Sequence, residues 1–156
     1  MQLIILAIGH KMPEWIKIGF NEYSKRMPPN YKIVLKEIKS FSRSNVKNKK
    51  LILLSEEEKI TSEIPKESFL VALDQKGKHL TTIEFSECLN IWRQNSKNIF
   101  FIIGGPDGLS ERIKKKTNYI LSISKFTIPH FLVRLILVEQ IYRSVSILTR
   151  HPYHRS

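Results

Sequence analysis

Apolar residues recur along this chain in two rhythms. Unbroken runs over residues 2–8 (Leu3-Ile4-Ile5-Leu6-Ala7-Ile8), 68–74 (Phe69-Leu70-Val71-Ala72-Leu73) and 99–103 (Ile99-Phe100-Phe101-Ile102-Ile103) read as strands buried on both faces. A partly alternating run over 31–38 and a short one over 119–124 add two strands. Between them the apolar positions take helical spacing. Trp15, Ile16, Ile18, Phe20 and Tyr23 follow Pro13, and Leu51, Leu54, Glu58 and Thr61 mark the turns of a helix over 46–62. Phe85, Cys88, Leu89 and Trp92 stand at i, i+3, i+4, i+7 behind Thr81-Thr82-Ile83-Glu84, a capping-box pattern. Strands alternating with helices predict an α/β fold, a largely parallel sheet with helices on both faces. No repeat, low-complexity segment or linker divides the 156 residues, which predicts one domain over 1–156.

The run at 99–103 ends in Gly104-Gly105-Pro106-Asp107-Gly108. A short helix follows, with Ser110 as N-cap, Glu111 in its first turn and Lys114-Lys115-Lys116 in its last. Strand, glycine turn and helix make a unit whose turn lies at the carboxyl end of the strand, where open α/β sheets bind ligands. It is no phosphate loop, since no Gly-Lys-Ser/Thr follows. It is no dinucleotide fingerprint either, since Ser122-Ile123-Ser124 stand where a ribose-binding acid belongs, about 20 residues on. Asp74-Gln75-Lys76-Gly77-Lys78 is a second turn at a strand end.

A last helix starts near His130, after Pro129. Phe131, Leu132, Val133, Leu135, Ile136, Leu137, Val138, Ile141, Tyr142, Val145, Ile147 and Leu148 cover far more than one stripe of it, so it must be buried on most sides. The sheet can cover one side, and a second copy of the chain is the natural cover for the rest. Glu139, Arg143, Ser146 and Arg150 form its one polar stripe. His151-Pro152-Tyr153-His154-Arg155 then packs two imidazoles, a phenol and a guanidinium into five residues, groups that bind anions, stack on bases and move protons.

Charge narrows the partner. Lys plus Arg is 26 against 14 acids, a formal net charge of +12, which points to a polyanion, nucleic acid before membrane. The basic stretch from Ser40 to Lys50 reads as a solvated loop rather than a dedicated RNA contact. No secretory pattern opens the chain, and Arg134, Glu139 and Arg143 interrupt the longest apolar segment, so no membrane association is expected. The single cysteine, Cys88, excludes an intrachain disulfide and a cysteine-cluster metal site and fits a reducing, cytoplasmic setting. Its spacing puts it in the core.

Several of these pieces in order carry a resemblance. They are Ala7-x-Gly9-x-Lys11-Met12-Pro13-x-Trp15, Asp74 after a buried strand, Ile102 to Leu109, Ser122-Ile123-Ser124-Lys125-Phe126-Thr127-Ile128-Pro129-His130-x-x-Val133-Arg134, Glu139-Gln140-x-Tyr142-Arg143, and His151 to Arg155. Together they resemble the bacterial large-subunit ribosomal RNA pseudouridine N3-methyltransferases, small members of the SPOUT, or trefoil-knot, methyltransferases. The likeness covers essentially the whole chain and is weakest between 40 and 68. It implies a C-terminal trefoil knot, which pattern alone does not predict because chains rarely knot. It also implies an obligate homodimer and S-adenosyl-L-methionine as cofactor. The acceptor it implies is large-subunit (23S) rRNA within the assembled ribosome.

The resemblance sets the cofactor against Leu73, Gly104, Gly105, Ile123, Ser124, Lys125, Phe126, Thr127 and Ile128. A ring imide N–H needs its anion favoured, so Arg134, Arg143 and Arg155 are candidate guanidinium partners and His130, His151 and His154 candidate bases. Tyr153 would stack on or brace the target base. No metal is expected. A non-catalytic RNA-binding assembly factor would share the charge and the tail, but not three turn loops at strand ends. A nucleotide-cofactor oxidoreductase would need a phosphate turn or a ribose acid.

Overall fold

A computed structural model describes residues 1–9, 11–40 and 48–155; much of the basic stretch of 40–50 and the first two residues of the helix expected over 46–62 lie outside them. The element order is β1 (Gln2–Ile8), α1 (Glu14–Lys25), β2 (Lys32–Ile38), α2 (Lys49–Glu63), β3 (Phe69–His79), α3 (Thr82–Asn95), β4 (Asn98–Ile103), α4 (Glu111–Lys116), β5 (Tyr119–Ser122) and α5 (His130–Leu148). The five strands form one sheet in the order β2-β1-β4-β3-β5, and every pair is parallel. Their unbroken apolar runs follow from this, because β1 and β4 have neighbours on both edges and helices over both faces.

Alternate residues of each strand feed two cores. Leu3, Ile5, Val71, Ile99 and Phe101 meet Phe20 of α1, Phe85, Leu89 and Trp92 of α3, and Leu137, Val138 and Ile141 of α5. Ile4, Leu6, Ala72, Phe100 and Ile102 meet Ile60 of α2 and Ile113 of α4 on the other face. Each fully buried Leu, Ile or Phe contributes about 1.5–3 kcal/mol, so the sheet is the stiff part of the molecule. The caps are those the sequence predicts. Thr81 and Glu84 form a reciprocal capping box on α3, and Ser110 accepts from the Ile113 N–H at the start of α4.

Two elements differ from the reading of the sequence. In α2 the buried residues are Ile52, Glu56, Glu57 and Ile60, while Leu51 and Leu54 are exposed. The helix turns two carboxylates inward, Glu57 onto Ser110 and Arg112 after β4, and an apolar count cannot anticipate such a face. The second difference is β3, which does not stop at Leu73. Leu121 of β5 pairs with Leu73 and again with Lys78, and Ser122 pairs with His79. Residues 74–77 therefore swing out around the end of β5. Gly77 permits this, since a Cβ there would stand 2.6 Å from the Leu121 carbonyl carbon and 2.8 Å from the Ser122 nitrogen, closer than any side chain tolerates.

Candidate active site

The carboxyl ends of β3, β4 and β5 open into one cavity of about 510 Å³, within the usual range for a small-molecule site. Its wall takes Leu73 to Lys76 from the first loop, Ile103 to Pro106 and Gly108 from the second, and Ser122, Ile123, Ser124, Phe126 and Ile128 from the third. His130 and Val133 of α5 close one side, and Glu111 and Lys114 of α4 another. Seven of the nine residues expected at a cofactor are in this wall: Leu73, Gly104, Gly105, Ile123, Ser124, Phe126 and Ile128. Lys125 and Thr127 belong to the same loop but do not line the cavity.

Local chemistry shapes each loop. In the third, the Ser122 hydroxyl donates to the Ser124 carbonyl at 3.1 Å, and the Phe126 N–H donates to the Ser124 hydroxyl at 2.9 Å, a serine turn that curls the backbone. The Gln75 side chain donates to the Thr127 hydroxyl at 3.4 Å, tying the first loop to the third. In the second loop Gly104 is indispensable, because a Cβ there would lie 2.6 Å from the Gly108 carbonyl carbon and oxygen. Gly105 is different. Its missing side chain points at Ile8 Cγ2, 3.2 Å away, and at the Glu56 carboxylate, 3.3 Å away, so the glycine seats the turn on β1 and α2.

The charged groups of the wall were not legible as a set. Lys114 reads from sequence as a helix-end lysine, yet its ammonium donates to Asp74 at 2.8 Å and to Glu111 at 3.2 Å. Burial opposes ionisation of Asp74, but the Lys114 ammonium and the Lys76 N–H outweigh it and hold the carboxyl below its ordinary range. The Asp74 hydrogen bond raises the Lys114 pKa in turn. The pair clamps α4 to the end of β3 across the glycine turn. Behind that turn the Ser110 hydroxyl donates to Glu57 at 2.9 Å and Arg112 stands 3.4 Å from the same side chain. Glu57 thus fixes the N-cap of α4, a role its place in a run of three acids does not reveal.

The expected catalytic residues divide into two groups. His130 lines the cavity. Arg134 is wholly buried behind it and paired with Glu37 at 2.8 Å, so it is spent inside the fold and meets no RNA surface. Arg143 and the tail form a separate cluster. The Arg143 Nε donates to Glu139 at 2.8 Å, and the Tyr153 hydroxyl donates to the same oxygen at 3.2 Å. The guanidinium lies 4.8 Å from the centre of the Tyr153 ring, a cation–π contact, and Tyr153 packs on Tyr142 with ring centroids 4.6 Å apart. The Glu139 carboxylate raises the pKa of Arg143. Burial, with Tyr23 and Glu139 beside it, drives that of Tyr153 far upward, so the phenol stays protonated.

A reversal at the end of α5 brings the tail back. Arg150 has φ of 57°, the His151 N–H donates to the Ser146 carbonyl and the Arg150 N–H to that of Ile147, a Schellman motif with arginine where glycine is usual. His154 Nδ1 is buried with no hydrogen-bond partner among the described residues. His151 and Arg155 are exposed. None of these tail groups lines the cavity; along α5, His130 and Arg143 lie roughly 20 Å apart at the α-helical rise.

Cys88 is half-buried on α3, and burial raises its thiol pKa, which makes it unreactive. Among the described residues no cluster of His, Cys, Asp and Glu could hold a metal ion, and no helix is long and apolar enough to cross a membrane.

Comparison with known proteins meets this geometry over nearly its whole length. A family model described as "Predicted SPOUT methyltransferase" matches residues 1–154. The chain is 47% identical over 155 residues to the ribosomal RNA large subunit methyltransferase H of Herminiimonas arsenicoxydans, covering 99% of each chain. It is 46% identical over 156 residues to the protein of the same name from Burkholderia ambifaria, with both chains fully covered, and 45% identical over 155 residues to that from Paraburkholderia phymatum, covering 99% of each. The parallel α/β sheet is the architecture such kinship implies, and the chain belongs to the SPOUT methyltransferase family.

Proposed function

We propose that the chain transfers a methyl group from S-adenosyl-L-methionine to N3 of a pseudouridine in 23S rRNA, acting on the assembled ribosome. In this reading it works as one catalytic domain over residues 1–156, as a cytoplasmic homodimer. The observation that carries it is the cavity where three strand-end loops meet. Its wall offers backbone N–H and C=O groups and apolar side chains, Ile103, Ile123, Ile128 and Val133, with no phosphate turn. This fits a neutral adenine attached to a phosphate-free donor. The donor supplies an electrophilic methyl group on a sulfonium.

The remaining work falls to the chain's own residues. Leu73, Gly104 and the loop from Ile123 to Ile128 hold the donor, and the apolar wall excludes water from it. An imide nitrogen reacts as its anion, once its proton has passed to solvent, so the acceptor needs positive charge and hydrogen bonds at its carbonyl oxygens to favour that anion. Arg143 is oriented for this by Glu139 and Tyr153, and Arg155 and His154 extend the same surface. In one chain that cluster lies away from the cavity. A second copy brings the two together, so each active site is composed of one chain's cavity and its partner's tail. Trp15 and Ile18 of α1 are 63% exposed beside α5, and Phe131, Leu132, Leu135 and Ile136 of α5 are only half-buried. This apolar face is the surface for the second copy.

The test is methylation of ribosomes from a strain lacking this gene, with mass mapping of the rRNA nucleosides. A single N3-methylated pseudouridine is expected. An unmodified product from ribosomes the chain nonetheless binds would favour the assembly-factor reading.

A further inference from the structure

The buried Arg134 ties three elements together behind the cavity wall. Its guanidinium is 0% exposed. One terminal nitrogen donates to Glu37 Oε2 on β2 at 2.8 Å, and the other stands 3.1 Å from His130 Nε2. A guanidinium only donates, so Nε2 must present its lone pair and the ring proton must sit on Nδ1. The Ile8 backbone, at the end of β1, favours a protonated ring nitrogen. Gly9 makes the room: a Cβ there would stand 3.1 Å from His130 Nε2 and 3.3 Å from the Arg134 guanidinium. Burial first, and then the Arg134 charge, push the His130 pKa down, as a lone pair facing a guanidinium requires.

We infer that Glu37 is a positioning residue for methyl transfer: through Arg134 it locks His130 as the neutral Nδ1–H tautomer in the cavity wall, so that His130 orients and does not abstract a proton. Glu37 also answers a charge problem. A buried guanidinium without a counter-charge is strongly destabilising, and here it would stand directly behind the wall of a site for a cationic donor. The inference rests on the methyl-transfer reading above. Its first readout does not depend on that reading.

Long-range ¹H–¹⁵N correlation spectra of the full chain, labelled at histidine, report the tautomer directly. At neutral pH, His130 is expected as the pure Nδ1–H form. Glu37→Leu, which removes both acceptor and charge, should average the two tautomers and lower turnover on unmethylated ribosomes by about 10- to 100-fold through misplacement of the wall. Glu37→Gln keeps an acceptor and should restore the tautomer and most of the turnover. An Nε2–H or averaged His130 in the wild-type chain overturns the inference, even if Glu37→Leu does not fold. So does a folded Glu37→Leu variant with unchanged spectrum and turnover. A wild-type chain with the expected tautomer that methylates nothing would overturn the proposed function and leave the lock standing.

Discussion

The cavity and the tail cluster are built from opposite materials. The cavity is lined largely by backbone, glycine and aliphatic side chains, with Lys76, Glu111 and the already formed Asp74–Lys114 ion pair at one side of its wall. The tail cluster is made of long polar and aromatic side chains on one helix and its reversal, with Arg143 and Tyr153 gathered on Glu139. The first suits a ligand read by shape and by neutral hydrogen bonds. The second suits a ligand on which negative charge develops. Under the proposed function, donor and acceptor chemistry occupy separate regions of one chain, and a second copy would join them.

Removing the tail region should break the pairing with the largest effect. Deleting 151–156, or making Arg143→Ala, should lower ribosome methylation at least about 100-fold, while donor affinity measured by titration calorimetry changes little. The deletion removes little apolar surface, so the melting temperature should move by only a few degrees. Mixing the deletion with a donor-blind Gly104→Val chain should restore one of the two sites of a mixed dimer. Activity confined to unmixed wild type would place both regions in one subunit's site.

Separating the copies should come next. Trp15→Glu with Ile18→Glu puts charge on the exposed face of α1. Sedimentation should then show monomers where the wild type shows dimers, and methylation should fall with the dimer fraction. A dimeric variant would remove α1 from the interface.

The cavity can be sharpened with its glycines. Gly104→Ala drives a methyl group into the Gly108 backbone and should weaken S-adenosyl-L-methionine binding at least about tenfold. Gly105→Ala meets Ile8 and Glu56 at 3.2–3.3 Å, tight but yielding side-chain contacts. It should cost only about threefold or less, well under one methyl's worth of core overpacking. Equal losses would mean that Gly105 faces the donor after all.

The smallest effect concerns acid. His130 has a folded pKa below its unfolded one, so the unfolded chain takes up this proton first. That contribution to stability is complete above about pH 6.5 and is lost as the pH falls from there through the folded value. A His130→Asn variant should lose part of the fall in melting temperature between pH 7 and pH 5. An identical slope would show that His130 is not held neutral.

Much of the fold and of the cavity was written in local pattern. The apolar runs of β1, β3 and β4, the capping box at Thr81 and Glu84 and the N-cap at Ser110 all depend on near neighbours in the chain, and each stands where its residues predict, although β3 runs on beyond its apolar part to His79. The three strand-end loops were legible for the same reason, because glycine and serine turns are short-range devices. What tertiary structure alone decided involves partners far apart in sequence. Glu56 and Glu57 carry no signal in the sequence until α2 turns them onto Gly105 and Ser110. Lys114 reads as a helix-end charge until β3 brings Asp74 to it. Arg134 reads as a candidate for RNA until Glu37, 97 residues away, claims it inside the fold. The excursion of residues 74–77 beside β5 belongs to this class too. Gly77 permits it, but a glycine permits many conformations, and only the packed sheet selects this one.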